Sequence, residues 1–321
     1  MTLRLSRRGI LKIGAVSAGS AILGLSRNSW ASEAATATEL PGLGLTAYQE
    51  GPQIWVRWNN EILTSYRAHA TQKYPYFYPL AGPLSGLSLT TESSLPWPHH
   101  RSMLFACDRV NRGNYWQGPV TMGQIVSQGP QLGQVTCETV EILDECRWAP
   151  PGGEVVMSDR RRFVVCLVAP NVRWIDADIT WQAEKDVTIE KTNHSLFAVR
   201  AAPDITPLGG GQLVNAEGLS GEKETFGKPS AWCCYWGERQ RAKPGTIEGI
   251  ALFDHPANPW APTPWFTRDY GFISPTPFYF IQQPWLLAAG QSVRLRYRVV
   301  LFGGEPAEVQ LARIYEEWAK T

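Results

Sequence analysis

The chain has 321 residues, of which 44% are hydrophobic and 18% charged, and its formal net charge is +1. Its 29 glycines, 24 prolines and 14 tryptophans favour many strands and turns over long helices. This composition excludes a coiled coil, a collagen-like chain and a disordered polymer. It predicts an aromatic-rich, β-dominated globular protein that is long enough to bury a sizeable core.

Residues 1–31 have the features of an export signal. They contain no acidic residue, an apolar run at 13–25, and small-residue cleavage sites ending at Ala31 and Ala34. The segment Ser6-Arg7-Arg8-Gly9-Ile10-Leu11-Lys12 is similar to a twin-arginine signal. The alternative, a membrane anchor, is disfavoured because the apolar run is short and rich in Gly and Ala. We predict a twin-arginine signal peptide at 1–31, a linker at 32–44, and a periplasmic or secreted protein.

The rest of the chain is acidic, and its cysteines lack the C-x-x-C spacing of metal or redox sites. Without the five basic residues of 1–31, 25 basic residues face 29 acidic ones, for a net charge of −4. The only arginine run, Arg160-Arg161-Arg162, leads into an apolar strand, so we expect no nucleic-acid partner. No later stretch is long enough to span a membrane. The six cysteines form no C-x-x-C pair, and we expect mostly buried thiols with at most one disulfide.

From Leu45 onward the chain alternates short strand patterns with turn residues. Residues 74–98, rich in Tyr, Pro, Gly and Ser, are predicted to form a long structured loop, and Asn59-Asn60 is a hairpin signal. Four segments before residue 190 are predicted strands: Gln53–Trp58, Glu61–Arg67, Glu154–Val168 and Val172–Trp181.

The clearest alternation lies in Gln291–Phe302, where apolar residues face one way and Arg294, Arg296 and Arg298 the other. Period two with one polar face indicates a half-solvated antiparallel sheet. A short C-terminal helix is predicted from the apolar spacing between Leu311 and Trp318. We therefore expect an all-β protein, with residues 45–321 forming one large sandwich of two antiparallel sheets.

The polar motifs that could carry chemistry contain four of the five histidines. They are Trp97-Pro98-His99-His100-Arg101, Thr192-Asn193-His194-Ser195, and Phe253-Asp254-His255-Pro256. Imidazole changes charge near neutral pH and suits proton transfer, and a nearby carboxylate can orient it or act opposite it. His194 and Asp254 could form such a pair if the fold brings their strands together. For each histidine, a hydrogen-bonded structural role at a turn is the alternative.

A metal centre is a second interpretation of these histidines. His99, His100, His194 and His255, with Asp254 or Glu217, are a sufficient ligand set for zinc, copper or iron, but the spacing specifies none of them. Adjacent side chains on an extended segment diverge, so at most one of His99 and His100 is expected to join a site. No cofactor is predicted, and a divalent metal stays as an alternative.

The tryptophans indicate a third kind of site, a surface that binds carbohydrate. Flat aromatic faces bind the apolar face of a sugar while Arg, Asn and Asp bind its hydroxyls. More than half of these tryptophans are nevertheless expected in the core. Five lie in loops or beside the polar motifs: Trp97, Trp116, Trp232, Trp236 and Trp265.

Six segments between Pro75 and Phe302 carry a resemblance to a known family: Tyr76-Phe77-Tyr78-Pro79, Pro98-His99-His100-Arg101, Thr192–Arg200, Leu213–Gly218, Phe253-Asp254-His255-Pro256 and Trp265–Phe272. Through them the chain resembles a family of exported bacterial proteins labelled methane oxygenase PmoA. A particulate methane monooxygenase subunit is an integral membrane protein, and this chain has no spanning stretch after its leader, so methane oxidation is not carried over.

Thr192-Asn193-His194-Ser195-Leu196-Phe197 is also similar to the Asn-His-Ser-aromatic-Phe signature of aldose 1-epimerases, or mutarotases. That resemblance implies a large two-sheet sandwich and a histidine, here His194, that donates a proton to a sugar ring oxygen. Phe253-Asp254-His255 resembles the family segment whose aspartate binds sugar hydroxyls. The family's late catalytic glutamate would fall near Ser274-Pro275, where no carboxylate stands, so Glu217, Asp254 or Asp269 would have to substitute.

These observations predict an exported carbohydrate-active protein, an epimerase, lyase or hydrolase, that binds a small molecule or a glycan. The alternatives are a glycan-binding module without catalysis and a histidine-ligated metalloprotein. The predicted catalytic residues are His194 as general acid, Asp254 as sugar ligand or base, and His100. The predicted substrate-binding residues are His99, Arg101, Arg200, Glu217, His255, Arg268 and Trp265.

Overall fold

A computed structural model of the protein describes residues 44–321. The predicted signal peptide, and the predicted linker except for its last residue, lie outside the described residues. The two helices are α1 (Gly221–Thr225) and α2 (Leu311–Trp318). The strands, in chain order, are β1 (Leu45–Glu50), β2 (Gln53–Trp58), β3 (Glu61–Arg67), β4 (Tyr76–Leu80), β5 (Met103–Val110), β6 (Gly113–Asn114), β7 (Gln124–Ser127), β8 (Gln131–Val135), β9 (Thr139–Ala149), β10 (Met157–Ala169), β11 (Val172–Ala183), β12 (Val187–Ile189), β13 (Ser195–Arg200), β14 (Gln212–Asn215), β15 (Trp232–Glu238), β16 (Ile247–Asp254), β17 (Trp265–Arg268), β18 (Phe272–Pro275), β19 (Trp285–Leu287) and β20 (Ser292–Gly303).

The strands form two large antiparallel sheets. The first sheet runs β1-β2-β3-β4-β5-β13-β18-β17, with β6 and β12 paired to β5 and β19 paired to β12. The second sheet runs β14-β15-β16-β20-β11-β10-β9-β7, with β8 paired to β9. The expected all-β sandwich of two antiparallel sheets with a short C-terminal helix is therefore confirmed.

Aromatic side chains from both sheets fill the space between them. Phe105 of β5 lies 5.9 Å from Trp148 and 5.9 Å from Trp181, both on the second sheet. Phe197 of β13 stacks on Tyr297 of β20 at 4.7 Å between ring centroids. Since successive side chains on a strand point to opposite faces, the residues that alternate with Phe105 and Phe197 must point to the outer face of the first sheet.

Several predicted elements are found at or near their predicted bounds. β2 and β3 match them and are joined by Asn59 and Asn60, whose φ angles of 51° and 65° suit a tight hairpin turn. The prediction of an unbroken loop over 74–98 is wrong, because β4 lies within it and pairs with β3 and β5. β4 buries side chains on both of its faces, so the period-two signal is absent from its sequence.

The second sheet carries a ladder of ion pairs on its outer face. Arg298 pairs with Asp176 and Arg294 pairs with Asp178, because β20 and β11 are neighbours in this sheet. Helix α2 covers one end of this ladder, and Trp318 lies 5.4 Å from the Arg298 guanidinium. The outer face is therefore only partly solvated.

All six cysteines lie in the described residues and all are free thiols. Four of them are buried, as expected for structural thiols: Cys107, Cys146, Cys233 and Cys234. Among residues 44–321, no helix combines the length and the apolar character that crossing a membrane requires.

Candidate functional site

The outer face of the first sheet supplies the floor of the site. On β5 the Asp108 side chain points to the face opposite Phe105 and Cys107, and on β13 the Arg200 side chain points to the face opposite Phe197. Both Asp108 and Arg200 therefore point away from the sandwich core. Arg200 is directly opposite Phe272 of β18 in the strand register, which puts the Phe272 ring on the same face. The site is thus built on three adjacent strands of a rigid sheet.

The segment 91–102 lies over this face and carries two of the histidines. Its ends are held to β13, because Thr91 N–H donates to the Arg200 carbonyl and Arg200 N–H donates to the Ser102 carbonyl. Between them, His100 N–H donates to the Trp97 carbonyl in a tight turn. Since the segment turns here and is not extended, His99 and His100 both point the same way, with 4.5 Å between ring centroids. The prediction that at most one of them joins the site is wrong.

His194 completes a cluster of three imidazoles. Its ring centroid is 5.3 Å from that of His99 and 5.9 Å from that of His100. One potential ligand nitrogen from each ring lies within 4.8 Å of the other two. Three histidines distant in sequence therefore converge at one point above the first sheet.

A carboxylate orients His194. The Asp108 Oδ2 atom lies 3.3 Å from His194 Nδ1, and the side chains are 7% and 12% exposed respectively. The Thr192 hydroxyl donates to the Asp108 Oδ1 atom, and the same hydroxyl accepts a 3.0 Å hydrogen bond from the His194 backbone N–H. Since Nδ1 faces Asp108, the other ring nitrogen of His194, Nε2, is the one left for chemistry.

The other two imidazoles have buried nitrogens that find no hydrogen-bond partner within residues 44–321. These are Nε2 of His99 and both ring nitrogens of His100. Burial, followed by the charge of His194, lowers the pKa of His99 to about 4. Burial and the neighbouring His99, His194 and Arg200 lower the pKa of His100 to about 2. Both rings are therefore neutral at physiological pH, which is the form that binds a metal ion.

Aromatic side chains wall the cluster. The His100 ring contacts Phe272 at 4.3 Å and stacks parallel to Tyr270 at 6.3 Å between centroids. Trp116 lies 5.5 Å from the His194 ring. Trp97 lies 6.0 Å from His99 but stays 43% exposed, so it forms the solvent side of the site.

Arg200 stands beside the histidines, and no carboxylate in the described part of the chain forms an ion pair with it. Its guanidinium lies 4.4 Å from the Tyr270 ring centroid, and its positive charge acts on His100. Arg268 is near the same tyrosine but pairs with Glu222 at 2.9 Å and stacks on Phe266 at 4.0 Å. Arg101 follows His100 in sequence and lies over the Tyr76 ring at 5.0 Å.

The donor set fits a transition-metal ion. A tetrahedral zinc ion with Zn–N bonds of about 2.0 Å needs nitrogens about 3.3 Å apart, so the separations of up to 4.8 Å require small side-chain rotations. Three protein ligands leave one coordination position open, as in catalytic zinc sites. A carboxylate on the second nitrogen of one ligand is the usual outer support of such a site, and Asp108 stands there.

Of the predicted site residues, His99, His100, His194 and Arg200 are brought together, with Arg101 and Arg268 at the edge. Asp254 is not among them. It lies at the end of β16 in the second sheet and accepts hydrogen bonds from Asn258 and Thr263. Within residues 44–321, no hydrogen bond or ion pair joins Asp254 to the three histidines, and the carboxylate that contacts His194 is Asp108.

The contacts of His255 are structural. Its Nδ1 accepts hydrogen bonds from the Ala257 N–H and from the Arg296 guanidinium at 2.9 Å. Its ring packs edge-on against Trp318 of α2 at 4.8 Å. Burial, with Arg296, lowers the pKa of His255 to about 4. The residue therefore helps to fasten the C-terminal helix to the second sheet.

Glu217 and Trp265 also lie apart from the histidines. Glu217 is exposed in the turn after β14, on the second sheet. Trp265 is fully buried and donates its indole N–H to the Ser230 carbonyl, as a core tryptophan does. Asp269, the third candidate for a substitute base, accepts a hydrogen bond from the Glu222 backbone N–H.

Two important residues were not singled out from the sequence. Asp108 is a lone acidic residue in the apolar strand β5, which was a signal of a special position. Tyr270 lies in the segment Trp265–Phe272, and nothing in the sequence marks it for a role. Their importance depends on contacts with His194 and Arg200, which are 86 and 70 positions away and invisible to spacing arguments.

Comparison with known proteins adds a family but no activity. No curated protein matches the chain significantly. One family model matches residues 53–316, a range that includes every described strand except β1, all three histidines and most of α2. The match extends over more than half of the chain, and the protein therefore belongs to the family of unknown function DUF6807.

Proposed function

We propose that this protein is a divalent-metal enzyme whose centre is formed by His99, His100 and His194. The observation that carries the proposal is the convergence of three imidazoles, with their ligand nitrogens within 4.8 Å of one another and three ring nitrogens that are buried without partners among residues 44–321. A buried polar atom without a partner costs about 1–3 kcal/mol, and coordination of a metal ion would remove that cost for one nitrogen of His99 and one of His100.

The open coordination position supports catalysis over a purely structural role. A bound zinc ion polarises a substrate carbonyl or hydroxyl oxygen, or lowers the pKa of a bound water to near 7. Asp108 orients His194 for metal coordination. The rings of Trp116, Tyr270 and Phe272 surround the three histidines with a wall of low polarity.

The substrate we propose is a small hydroxylated molecule, a sugar derivative above all. Trp97 offers a half-exposed aromatic face beside His99, of the kind that binds the apolar face of a sugar ring. The mutarotase-like motif around His194 supports the same substrate class. The reaction would be epimerisation, elimination or hydrolysis.

A second candidate follows from one specific contact. The Asp108–His194 pair at 3.3 Å also has the form of a carboxylate that orients a proton-transferring histidine. In that case His194 acts as a general acid on a sugar derivative without a metal ion. The two candidates differ in whether a chelator abolishes turnover.

The experiment begins with metal analysis of untagged protein purified without chelator, followed by Zn²⁺ and Co²⁺ titration. We expect one ion per chain in the wild type and little in His99→Ala or His194→Ala. His69→Ala is the matched control, because the His69 side chain is exposed and its ring nitrogen lies 3.4 Å from the Gln53 side-chain oxygen. Failure of the wild type to bind either ion would overturn the metal centre.

The same protein, metal-loaded or chelated, is then incubated with a panel of sugars and followed by NMR. Turnover only in the loaded form supports the proposal. Turnover that persists after chelation and is lost in His194→Ala selects the metal-free acid. Glycan binding without any product would identify a binding module.

A further inference from the structure

Arg200 is a buried cation that rests on the Tyr270 ring. Its side chain is on the outer face of the first sheet and is only 5% exposed. Among residues 44–321, its Nε and Nη1 atoms have no hydrogen-bond partner, and no carboxylate forms an ion pair with it. Burial lowers the pKa of Arg200, with Tyr270 and Tyr235 opposing the shift.

A guanidinium stays protonated in proteins, so this position holds a desolvated positive charge. Leaving such a charge without a counter-ion is expensive, and proteins that keep one generally pair it with a bound anion. The neighbouring Arg268 differs in this respect, since Glu222 neutralises it at 2.9 Å. Arg200 is therefore suited to a ligand.

The position of Arg200 relative to the histidines defines where the anion would lie. Tyr270 contacts both groups, with the Arg200 guanidinium 4.4 Å from its ring and the His100 ring stacked at 6.3 Å. A metal ion on the histidines would add two more positive charges, against the single negative charge of Asp108. An anionic ligand that touches both Arg200 and the metal would balance this excess.

We propose that Arg200 binds the carboxylate of the substrate, while a hydroxyl or carbonyl oxygen beside that carboxylate reaches the three-histidine centre. The substrate class is therefore a sugar acid or another small α-hydroxy or α-keto carboxylate. This inference rests on the proposed metal centre and specifies the substrate of that same site.

The surroundings favour a carboxylate over a phosphate. One guanidinium matches the single charge and planar shape of a carboxylate, whereas phosphate sites gather several donors. The flat Tyr270 ring under Arg200 holds the guanidinium plane in place. Trp97, on the solvent side, is left to contact the rest of the molecule.

The test compares gluconate with sorbitol, which differ at one carbon, a carboxylate in the first and a hydroxymethyl group in the second. Co²⁺-loaded protein is titrated with each, and with inorganic phosphate, by calorimetry and by the Co²⁺ absorption spectrum. We expect gluconate to bind, to change the spectrum and to exceed sorbitol in affinity. In Arg200→Gln, gluconate affinity should fall by about 10- to 100-fold with Co²⁺ stoichiometry unchanged.

Arg200→Lys should recover part of the affinity, which a merely structural role would not predict. Arg294→Gln, on the exposed face of the other sheet, is the control and should bind as the wild type does. Equal affinity for gluconate and sorbitol, or no effect in Arg200→Gln, would overturn the inference and leave the metal centre intact. Tighter binding of phosphate than of gluconate would overturn the carboxylate assignment.

If the wild type binds no Co²⁺, the proposed function fails separately. Gluconate titration of the metal-free protein then decides the role of Arg200. Binding that Arg200→Gln abolishes would uphold the carboxylate contact, and no binding would refute it.

Discussion

Replacement of Asp108 by Asn tests whether the carboxylate supports a metal-binding histidine. The two carboxylate oxygens have different partners, the Thr192 hydroxyl at Oδ1 and His194 Nδ1 at Oδ2. Asparagine has one oxygen and one NH₂ group. If the oxygen keeps Thr192, the NH₂ group faces Nδ1 and favours the imidazole form with its proton on Nε2, which cannot bind a metal. The reverse orientation disturbs Thr192.

Either arrangement costs one hydrogen bond or one change of tautomer, about 1–3 kcal/mol. That cost corresponds to metal binding weakened by about 10- to 100-fold, in line with the usual effect of removing an outer carboxylate. Little of this is offset by water, because the Asp108 and His194 side chains are 7% and 12% exposed. Asparagine nearly preserves the shape of the residue, so the fold should persist.

The measurement is competitive Zn²⁺ titration against a chromophoric chelator, with circular dichroism as the check on folding. Asp178→Asn is the control, since Asp178 is an acidic residue on the outer face of the second sheet that pairs with Arg294. Zn²⁺ affinity of folded Asp108→Asn equal to that of the wild type would refute the orienting role of the carboxylate.

Three further predictions concern the fold. Burial raises the pKa of Asp254 to about 6, so the native state holds that proton more tightly than the unfolded chain does. The free energy of unfolding should therefore fall by about 3 kcal/mol as the pH rises from 4 to 6. Asp254→Asn should remove this pH dependence in denaturant titrations, and an unchanged dependence would show that Asp254 is not its source. Phe105→Ala, which opens a cavity beside Trp148 and Trp181, should cost about 3–5 kcal/mol in chemical denaturation, and a loss below 1 kcal/mol would mean that the core repacks. Trp318→Ala should lower the melting temperature but leave the metal stoichiometry unchanged, because Trp318 packs on His255 and Arg298 away from the three histidines. Loss of metal in the folded variant would show that α2 contributes to the site.

Local patterns were sufficient for the fold class. Strict alternation along β20 and β11 put apolar residues between the sheets and charged residues outside, whereas the Asp176–Arg298 pair also required the pairing of these two strands. The spacing of apolar residues predicted α2. Strands such as β4 were missed because both faces are buried and the alternation disappears.

The candidate site depended on contacts that no local pattern encodes. Motif density identified His99, His100 and His194, yet their convergence required a turn at 94–100 and the pairing of β5 with β13, which are far apart in sequence. Pairing between distant strands is set by packing over the whole sandwich. For that reason Asp108, the partner of His194, was found only in the folded chain, and Asp254 proved to lie on the other sheet.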